Sequence, residues 1–232
     1  MTENQPAPAE PEHVPSFSWL GAWRAALTQP SVATYTDLLL DPRRSLGRAA
    51  AWLFTASLIS YLLGIGVQAT FLPGTLVDVI REASEAGPPE FQAAPSTILI
   101  LSLACTPFLA AMFLGTYLIG FGVLHFIASA LGSQGTYTEM VYAHAAYLAP
   151  LTILSTMLVM IPVVQCLTVP LSLYSFGLQM MALKAATRMS WGRVVAILAV
   201  VLVLILLVAA VGVLVWMSPE VQHWLAGNGG TA

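Results

Sequence analysis

Charged residues are scarce in this chain. Asp, Glu, Lys and Arg make up 8% of its 232 residues, whereas ordinary soluble domains carry roughly 25%. The eight basic residues are too few to coat a nucleic-acid backbone, so nucleic acid is excluded as a partner. The two cysteines, Cys105 and Cys166, lie in apolar runs without metal-site spacing, so no metal and no cofactor are expected.

Sequence motifs of catalysis are also missing. The chain contains no HExxH, no GxSxG, no phosphate-binding glycine loop with lysine, and no pair of intramembrane aspartates. Gly115, Gly120 and Gly122 lie inside an apolar run and follow no strand, so they form no nucleotide-binding fingerprint. We therefore predict that the protein is not an enzyme.

The composition is that of an integral membrane protein. Apolar residues make up 58% of the chain, and the mean hydropathy is +0.82. Because about 20 helical residues cross a hydrocarbon layer of ~30 Å, we predict an all-α polytopic helix bundle with five transmembrane helices. This membrane domain covers residues 49–217, with spans at 49–70, 97–131, 137–160, 163–187 and 194–217. The last span is uniformly apolar between Trp191 and Trp216, which predicts a place at the bundle periphery.

The segments outside this domain differ in character. Residues 1–15 are rich in Pro and Glu, which predicts a disordered cytoplasmic tail. Residues 16–48 contain two short helical patterns, and Trp19 and Trp23 lie on the apolar face of the first, so we predict interfacial helices. Residues 218–232 are predicted to form a second tail.

The segment from Ser96 to Leu131 sets the number of crossings. Its 36 residues would form a helix of ~54 Å, and two crossings are the alternative to one. A single crossing, whose excess length is explained by a kink or projection at Pro107, leaves every base except Arg81 on one face of the membrane. The positive-inside rule then predicts a cytoplasmic amino terminus and an outside carboxyl terminus. The bases on the predicted cytoplasmic face are Arg24, Arg43, Arg44, Arg48, Lys184, Arg188 and Arg193.

Polar and small residues inside the spans are candidates for function, because polar groups are unfavourable in lipid. In the fourth span, polar residues recur at steps of three and four and form a candidate polar stripe: Gln165, Thr168, Ser172, Ser175 and Gln179. Small residues that allow close helix approach recur in the first two spans: Gly64, Gly66, Ala111, Gly115 and Gly122. Both patterns indicate helix–helix adhesion; for the stripe, the alternative is a polar-lined path for a solute.

A second candidate is a polar intramembrane cluster of His125, Glu139, His144, Tyr147 and Gln179. His125 and His144 each lie ~10 Å along a helix from the turn at residues 132–135, so they are predicted to share a depth. Glu139 follows Thr136 by three positions, which is the spacing of a capping box. The histidines are interpreted as hydrogen-bonded packing residues, with a proton or ligand site as the alternative.

Several local features, taken in order, resemble the Yip1 family of multi-pass membrane proteins over roughly residues 19–208. The features that carry the resemblance are Gly135-Thr136-Tyr137, Tyr147-Leu148-Ala149-Pro150, Ile161-Pro162, Leu183-Lys184 and Met189-Ser190. The resemblance implies a five-span fold with a cytoplasmic amino terminus. In eukaryotic relatives it implies vesicle trafficking through Rab-type GTPases. The Asp-Leu-Tyr-Gly-Pro-like signature of those relatives is missing here, so GTPase binding is not expected. The chain is more similar to bacterial members, which implies the bacterial inner membrane.

Two functional hypotheses follow. The first is a noncatalytic membrane scaffold or adapter, whose partners are the lipid bilayer and other membrane proteins or a second copy. The alternative is a transporter or permease component that uses the polar stripe, since proline-broken helices are common at transport sites. A third hypothesis, an intramembrane hydrolase, requires His125, His144 and Glu139 to converge.

Overall fold

The structure of the protein is a computed structural model that describes residues 16–71, 95–159 and 162–218. Within these ranges the chain is all-helical and has no strand, which confirms the predicted class. The predicted tail at 1–15 and all but the first residue of that at 218–232 lie outside the described residues. The described helices are α1 (Trp19–Thr28), α2 (Val32–Leu40), α3 (Leu46–Phe71), α4 (Pro95–Ala130), α5 (Tyr137–Val159), a 3-10 helix (Pro162–Leu167), α6 (Thr168–Thr187) and α7 (Trp191–Trp216).

Helices α1 and α2 form an amino-terminal arm that packs on the bundle. Each begins at a serine: Ser18 Oγ accepts a hydrogen bond from the N–H of Gly21, and Ser31 Oγ accepts one from Thr34, which satisfies free donors of the first turn. Helix α1 contacts α5, and α2 contacts α6. The rings of Trp19 and Trp23 both lie edge-on to Trp52 of α3, at 6.2 and 6.4 Å.

Four of the described helices are long and apolar enough to cross a membrane. Their apolar segments are Leu46–Val67, Ile100–Ala130, Tyr137–Val159 and Trp191–Trp216. The remaining predicted span, 163–187, is divided between the 3-10 helix and α6, and α6 is not among these four. Polar residues lower its hydropathy, so five spans are not confirmed by length and composition.

Helix α4 is one continuous helix of 36 residues with Pro107 inside it. The prediction of one long helical element here, and not two shorter ones, is therefore confirmed for the described residues. A proline is tolerated inside a membrane helix when neighbouring groups satisfy the freed backbone. Thr106, directly before Pro107, donates from Oγ1 to the carbonyl of Ser102 at 2.8 Å, next to the Leu103 carbonyl that Pro107 leaves without its helical donor.

Helix α5 lies at the centre of the bundle. It contacts α3, α4, α6 and both helices of the arm. Half of its most apolar window is buried, whereas only 11% of the corresponding window of α7 is buried. Helix α7 packs mainly along α4 and α6 and exposes most of its Val and Leu side chains. The prediction that this helix lies at the periphery is confirmed.

The small residues of α3 and α4 do not mark close contacts among the described helices. A Cβ added at Gly66, Gly115 or Gly122 would meet no atom within 4 Å in the described part of the chain. The close approach occurs at Gly135, where a Cβ would lie 1.8 Å from the carbonyl oxygen of Ala186. The turn before α5 is thus pressed directly against the end of α6.

Candidate functional site

The carboxylate of Asp41, at the end of α2, lies buried between the arm and the bundle. It accepts hydrogen bonds from the backbone N–H groups of Phe17 and Arg43, at 3.3 and 2.9 Å. Arg48 of α3 donates to it from Nη1 at 2.9 Å, and the hydroxyl of Tyr142 lies 3.5 Å away. Asp41 is only 2% exposed, so its charge is neutralised inside the protein.

Arg48 connects this carboxylate to the aromatic core. Its guanidinium lies over the rings of Trp52 and Tyr142, at 5.1 and 5.9 Å from their centroids, a favourable cation–π arrangement. Nη2 donates to the carbonyl oxygen of Phe17. One arginine therefore binds the segment before α1, the end of α2 and the interior of the bundle together.

Glu139, in the first turn of α5, forms ion pairs with two arginines from distant parts of the chain. Its Oε1 lies 3.1 Å from Nη1 of Arg44 and 2.8 Å from Nη2 of Arg188. Arg44 also donates to the carbonyl of Leu39. The side chain of Glu139 is 5% exposed. We call Asp41, Arg44, Arg48, Glu139 and Arg188 the arginine clamp.

The predicted capping box at the start of α5 is confirmed. Oε2 of Glu139 accepts a hydrogen bond from the N–H of Thr136 at 2.8 Å, and Thr136 Oγ1 accepts one from the N–H of Glu139 at 3.2 Å. Glu139 therefore uses one oxygen to start the helix and the other to bind the arginines. The cap fixes the position of the second oxygen.

The charge state of Asp41 follows from its surroundings. Burial alone raises its pKa, but hydrogen bonds from the backbone of Arg43 and Phe17, together with the Arg48 guanidinium, lower the pKa below its usual value. The carboxylate is therefore ionised at neutral pH, and the ion pair with Arg48 is intact. The lone pairs of this carboxylate are already occupied by hydrogen-bond donors. Asp41 therefore stabilises the contact between the arm and the bundle.

The histidines of the predicted cluster have separate surroundings. His144 is 1% exposed, and its Nδ1 lies 2.7 Å from the carbonyl of Met140. Its ring contacts Phe121 and Tyr147, at 5.1 and 5.9 Å. The ring of His125 instead contacts Tyr137 at 5.9 Å.

Among the described residues, Glu139 forms hydrogen bonds with Arg44, Arg188 and Thr136 and none with an imidazole. Within the described residues, the convergence of His125, His144 and Glu139 that a hydrolase requires is not observed. No group of three or more His, Cys, Asp or Glu side chains in the described ranges is placed to hold a metal ion.

The candidate polar stripe runs along part of one cleft. Ser172, Ser175 and Gln179 line a cleft of ≈470 Å³ together with residues of α4 and α5. The hydroxyl of Ser172 donates to the carbonyl of Thr168 at 2.7 Å, so its hydrogen is used within α6. Gln165 lies in the 3-10 helix. The single helical face assumed for the stripe therefore begins at Thr168.

Sequence reasoning missed the clamp itself. The sequence pattern uses Arg44 and Arg48 only to assign a membrane face, and it gives Asp41 no role. Charged residues next to predicted spans were the available signal, but a sequence does not pair Glu139 with Arg44 across 95 positions. The arrangement holds segments together and leaves neither acid free for proton transfer.

The family model described as the Yip1 domain matches residues 24–213. Neither a curated protein nor a solved structure matched the chain. The family match extends from α1 into α7 and includes all five residues of the arginine clamp. Because the match covers most of the chain, this protein belongs to the Yip1 family and is an integral, multi-pass membrane protein.

Proposed function

We propose that the protein is a noncatalytic membrane scaffold or adapter of the bacterial cell membrane, which acts by binding a second copy or another membrane protein. The Yip1 family is a non-enzymatic membrane-protein family. In keeping with this, the two acids of the clamp are occupied by arginines and backbone donors. Neither a Rab-type GTPase nor nucleic acid is among the proposed partners.

The observation that carries the proposal is an uncovered face of small residues on α4. At about 100° per residue, Ala111, Gly115 and Gly122 lie within about 40° of one another around the helix. Ala111 is exposed, and a Cβ at Gly115 or Gly122 would meet no atom within 4 Å. Small residues spaced in this way allow two membrane helices to approach closely. Since the helices that the structure describes leave this face open, a helix from another chain is its proposed occupant.

The arm provides the proposed cytoplasmic surface. The arginine clamp holds α1 and α2 against the bundle, while Trp19, Leu20 and Leu40 are 42%, 74% and 58% exposed. A rigid element with exposed apolar side chains has a low entropic penalty when it binds a membrane surface or a protein. The arm and the α4 face thus form two separate contact surfaces of the proposed scaffold.

The proposed topology has five crossings, with the amino terminus in the cytoplasm and the carboxyl terminus outside. Its support is the position of the helix ends. Arg44 before α3, Glu139 at the start of α5 and Arg188 after α6 meet in one cluster. Helix α6 therefore returns to the level at which α5 begins, and α7 starts from that same end. The bases gathered there favour the cytoplasmic side.

Crosslinking from the α4 face tests the proposal. With a photoreactive amino acid at position 111 in native membranes, we expect one discrete adduct, either with a second copy or with another membrane protein. Gly115→Leu fills the face and is expected to reduce the adduct at least about fivefold, because it prevents close helix approach. The yield of adduct relative to unmodified chain, measured by immunoblot and mass spectrometry, is the readout.

Thr116→Leu is the matched control for Gly115→Leu. Thr116 is exposed on α4 but lies about 100° around the helix from Gly115, so the adduct is expected to persist. An adduct yield equal in Gly115→Leu and the parent protein would contradict the role of this face. So would crosslinking to lipid alone.

A further inference from the structure

A cleft lined by hydroxyl groups lies between α3, α4 and α5. Its volume is ≈380 Å³, and Ser57, Ser60, Tyr61, Phe113, Thr152 and Thr156 line it together with Gly64 and Ile65. We call it the hydroxyl cleft. No charged residue is among these lining side chains of the described chain. A charged ligand would remain unpaired in this apolar surrounding, so an occupant must be uncharged.

The hydroxyl hydrogens of three lining residues are already used. Ser57 donates to the carbonyl of Leu53 at 2.7 Å, Thr152 to that of Leu148 at 2.8 Å, and Thr156 to that of Thr152 at 2.9 Å. A hydroxyl that donates its one hydrogen retains its lone pairs as acceptors. The cleft therefore matches a ligand that donates hydrogen bonds.

Ser60 gives an independent indication of a ligand. Its side chain lines the cleft, the residue is 8% exposed, and its buried Oγ has no hydrogen-bond partner within the described residues. An unpartnered hydroxyl away from water is unfavourable, and buried hydroxyls in membrane helices ordinarily find a partner. Ser60 can therefore both donate a hydrogen bond to a ligand and accept one from it.

The depth of the cleft limits the source of the ligand. Ser60 and Thr152 lie ~21 Å and ~22 Å along their helices from the first residues of α3 and α5, which begin at the clamp end of the bundle. The cleft therefore lies at hydrocarbon depth, in the half remote from the arginine clamp. A molecule that reaches it from the bilayer needs an apolar body and a polar group without charge.

We propose that the hydroxyl cleft binds the free hydroxyl end of an uncharged membrane lipid of the diacylglycerol class. The lipid hydroxyl donates to an acceptor oxygen of Ser57, Thr152 or Thr156 and accepts from Ser60, while its acyl chains follow the apolar surfaces of α3 and α4. Phe113, which contacts Tyr61 at 6.5 Å, forms the apolar wall beside the hydroxyl. This site goes beyond the scaffold role, which requires only the α4 face and the arm.

Photolabelling of the full chain in phosphatidylcholine vesicles tests the site. The probe is a diacylglycerol with a diazirine in one acyl chain, and the comparison probe is the same molecule with its hydroxyl esterified. We expect the diacylglycerol to label peptides of α3 and α5 that line the cleft, and the esterified probe to label them roughly fivefold less. Ser60→Ala is expected to reduce labelling by diacylglycerol roughly threefold to tenfold.

Two further variants separate binding from folding. Thr152→Val keeps the shape of the side chain while removing an acceptor, and is expected to reduce labelling as Ser60→Ala does. Thr116→Val removes a hydroxyl that lies on α4 outside the cleft and is expected to leave labelling unchanged. Because Ser60→Ala removes an unpartnered group, it should not lower the melting temperature. Equal labelling by the two probes, or unchanged labelling in both cleft variants, would overturn the proposal and indicate ordinary lipid contact or bound water.

Discussion

Glu139→Gln is expected to lower the stability of the protein by about 1–3 kcal/mol, because it leaves Arg44 and Arg188 without their shared carboxylate. Removing one partner of a fully buried ion pair costs about 3–5 kcal/mol. The side chains of Arg44 and Arg188 are 33% and 56% exposed, so water screens part of this effect. For a chain of 232 residues the loss corresponds to a decrease in melting temperature of about 2–12 °C in detergent.

The glutamine variant isolates the ion pairs from the helix cap. Gln at this position still accepts a hydrogen bond from Thr136, as in the capping boxes that use Gln. Asp37→Asn, which makes the same carboxylate-to-amide change at an exposed position of α2, is the matched control and is expected to change the melting temperature by less than about 1 °C. Equal melting temperatures for Glu139→Gln and Asp37→Asn would show that the arginine clamp does not stabilise the fold.

Gly135→Ala is expected to destabilise the protein by about 2–3 kcal/mol, since overpacking against a fixed backbone has an effect of this size. The added Cβ would lie 1.8 Å from the oxygen and 2.8 Å from the carbon of the Ala186 carbonyl. Backbone atoms cannot rotate away as a flexible side chain can. The turn must therefore separate from the end of α6 and lose the hydrogen bond from the Gln134 N–H to the Thr187 carbonyl, 3.3 Å in length. Thermal unfolding of the purified protein measures the loss.

Gly177→Ala is the matched control for Gly135→Ala. Gly177 lies inside α6, and a Cβ there would meet no atom within 4 Å. Alanine in a helix interior is favoured over glycine by about 0.5–1 kcal/mol, so this variant is expected to be neutral or slightly more stable. Two glycine-to-alanine changes in one protein should therefore act in opposite directions. Destabilisation of similar size by both would contradict the importance of the Gly135 contact.

The helical elements were predictable because hydropathy and spacing are local properties. The long helix at Pro95–Ala130, the short helices of the arm and the capping box at Glu139 all follow from short stretches of sequence. The prediction was less accurate for the fourth span, because the first part of this span belongs to a 3-10 helix, Pro162–Leu167. Hydropathy does not distinguish the two kinds of helix.

The candidate site was predicted poorly because its contacts are long-range. Asp41 and Tyr142 are 101 positions apart, and Arg44 and Glu139 are 95 apart. Sequence reasoning favoured histidines and a polar stripe on the basis of residue type. Residue type does not reveal that Gly115 and Gly122 face open space while Gly135 touches the backbone of another helix.

Features that carried the family resemblance meet at the clamp end of the bundle. Gly135 packs on Ala186, Thr136 caps α5 with Glu139, and Lys184 donates to the carbonyl of Met189 while its ammonium lies 6.0 Å from the Trp191 ring centroid. Gly135, Thr136, Lys184 and Met189 are therefore parts of one structural junction. The junction orders the turn before α5 and the end of α6 together.

Membrane topology is the most direct test of the account, because the proposed scaffold requires the arm and the arginine clamp on the cytoplasmic side of five crossings. Reporter domains fused separately to the two ends of the full chain, one active only in the cytoplasm and one active only outside it, measure this in intact cells. We predict a cytoplasmic amino-terminal fusion and an outside carboxyl-terminal fusion. Two termini on the same side of the membrane would contradict the account.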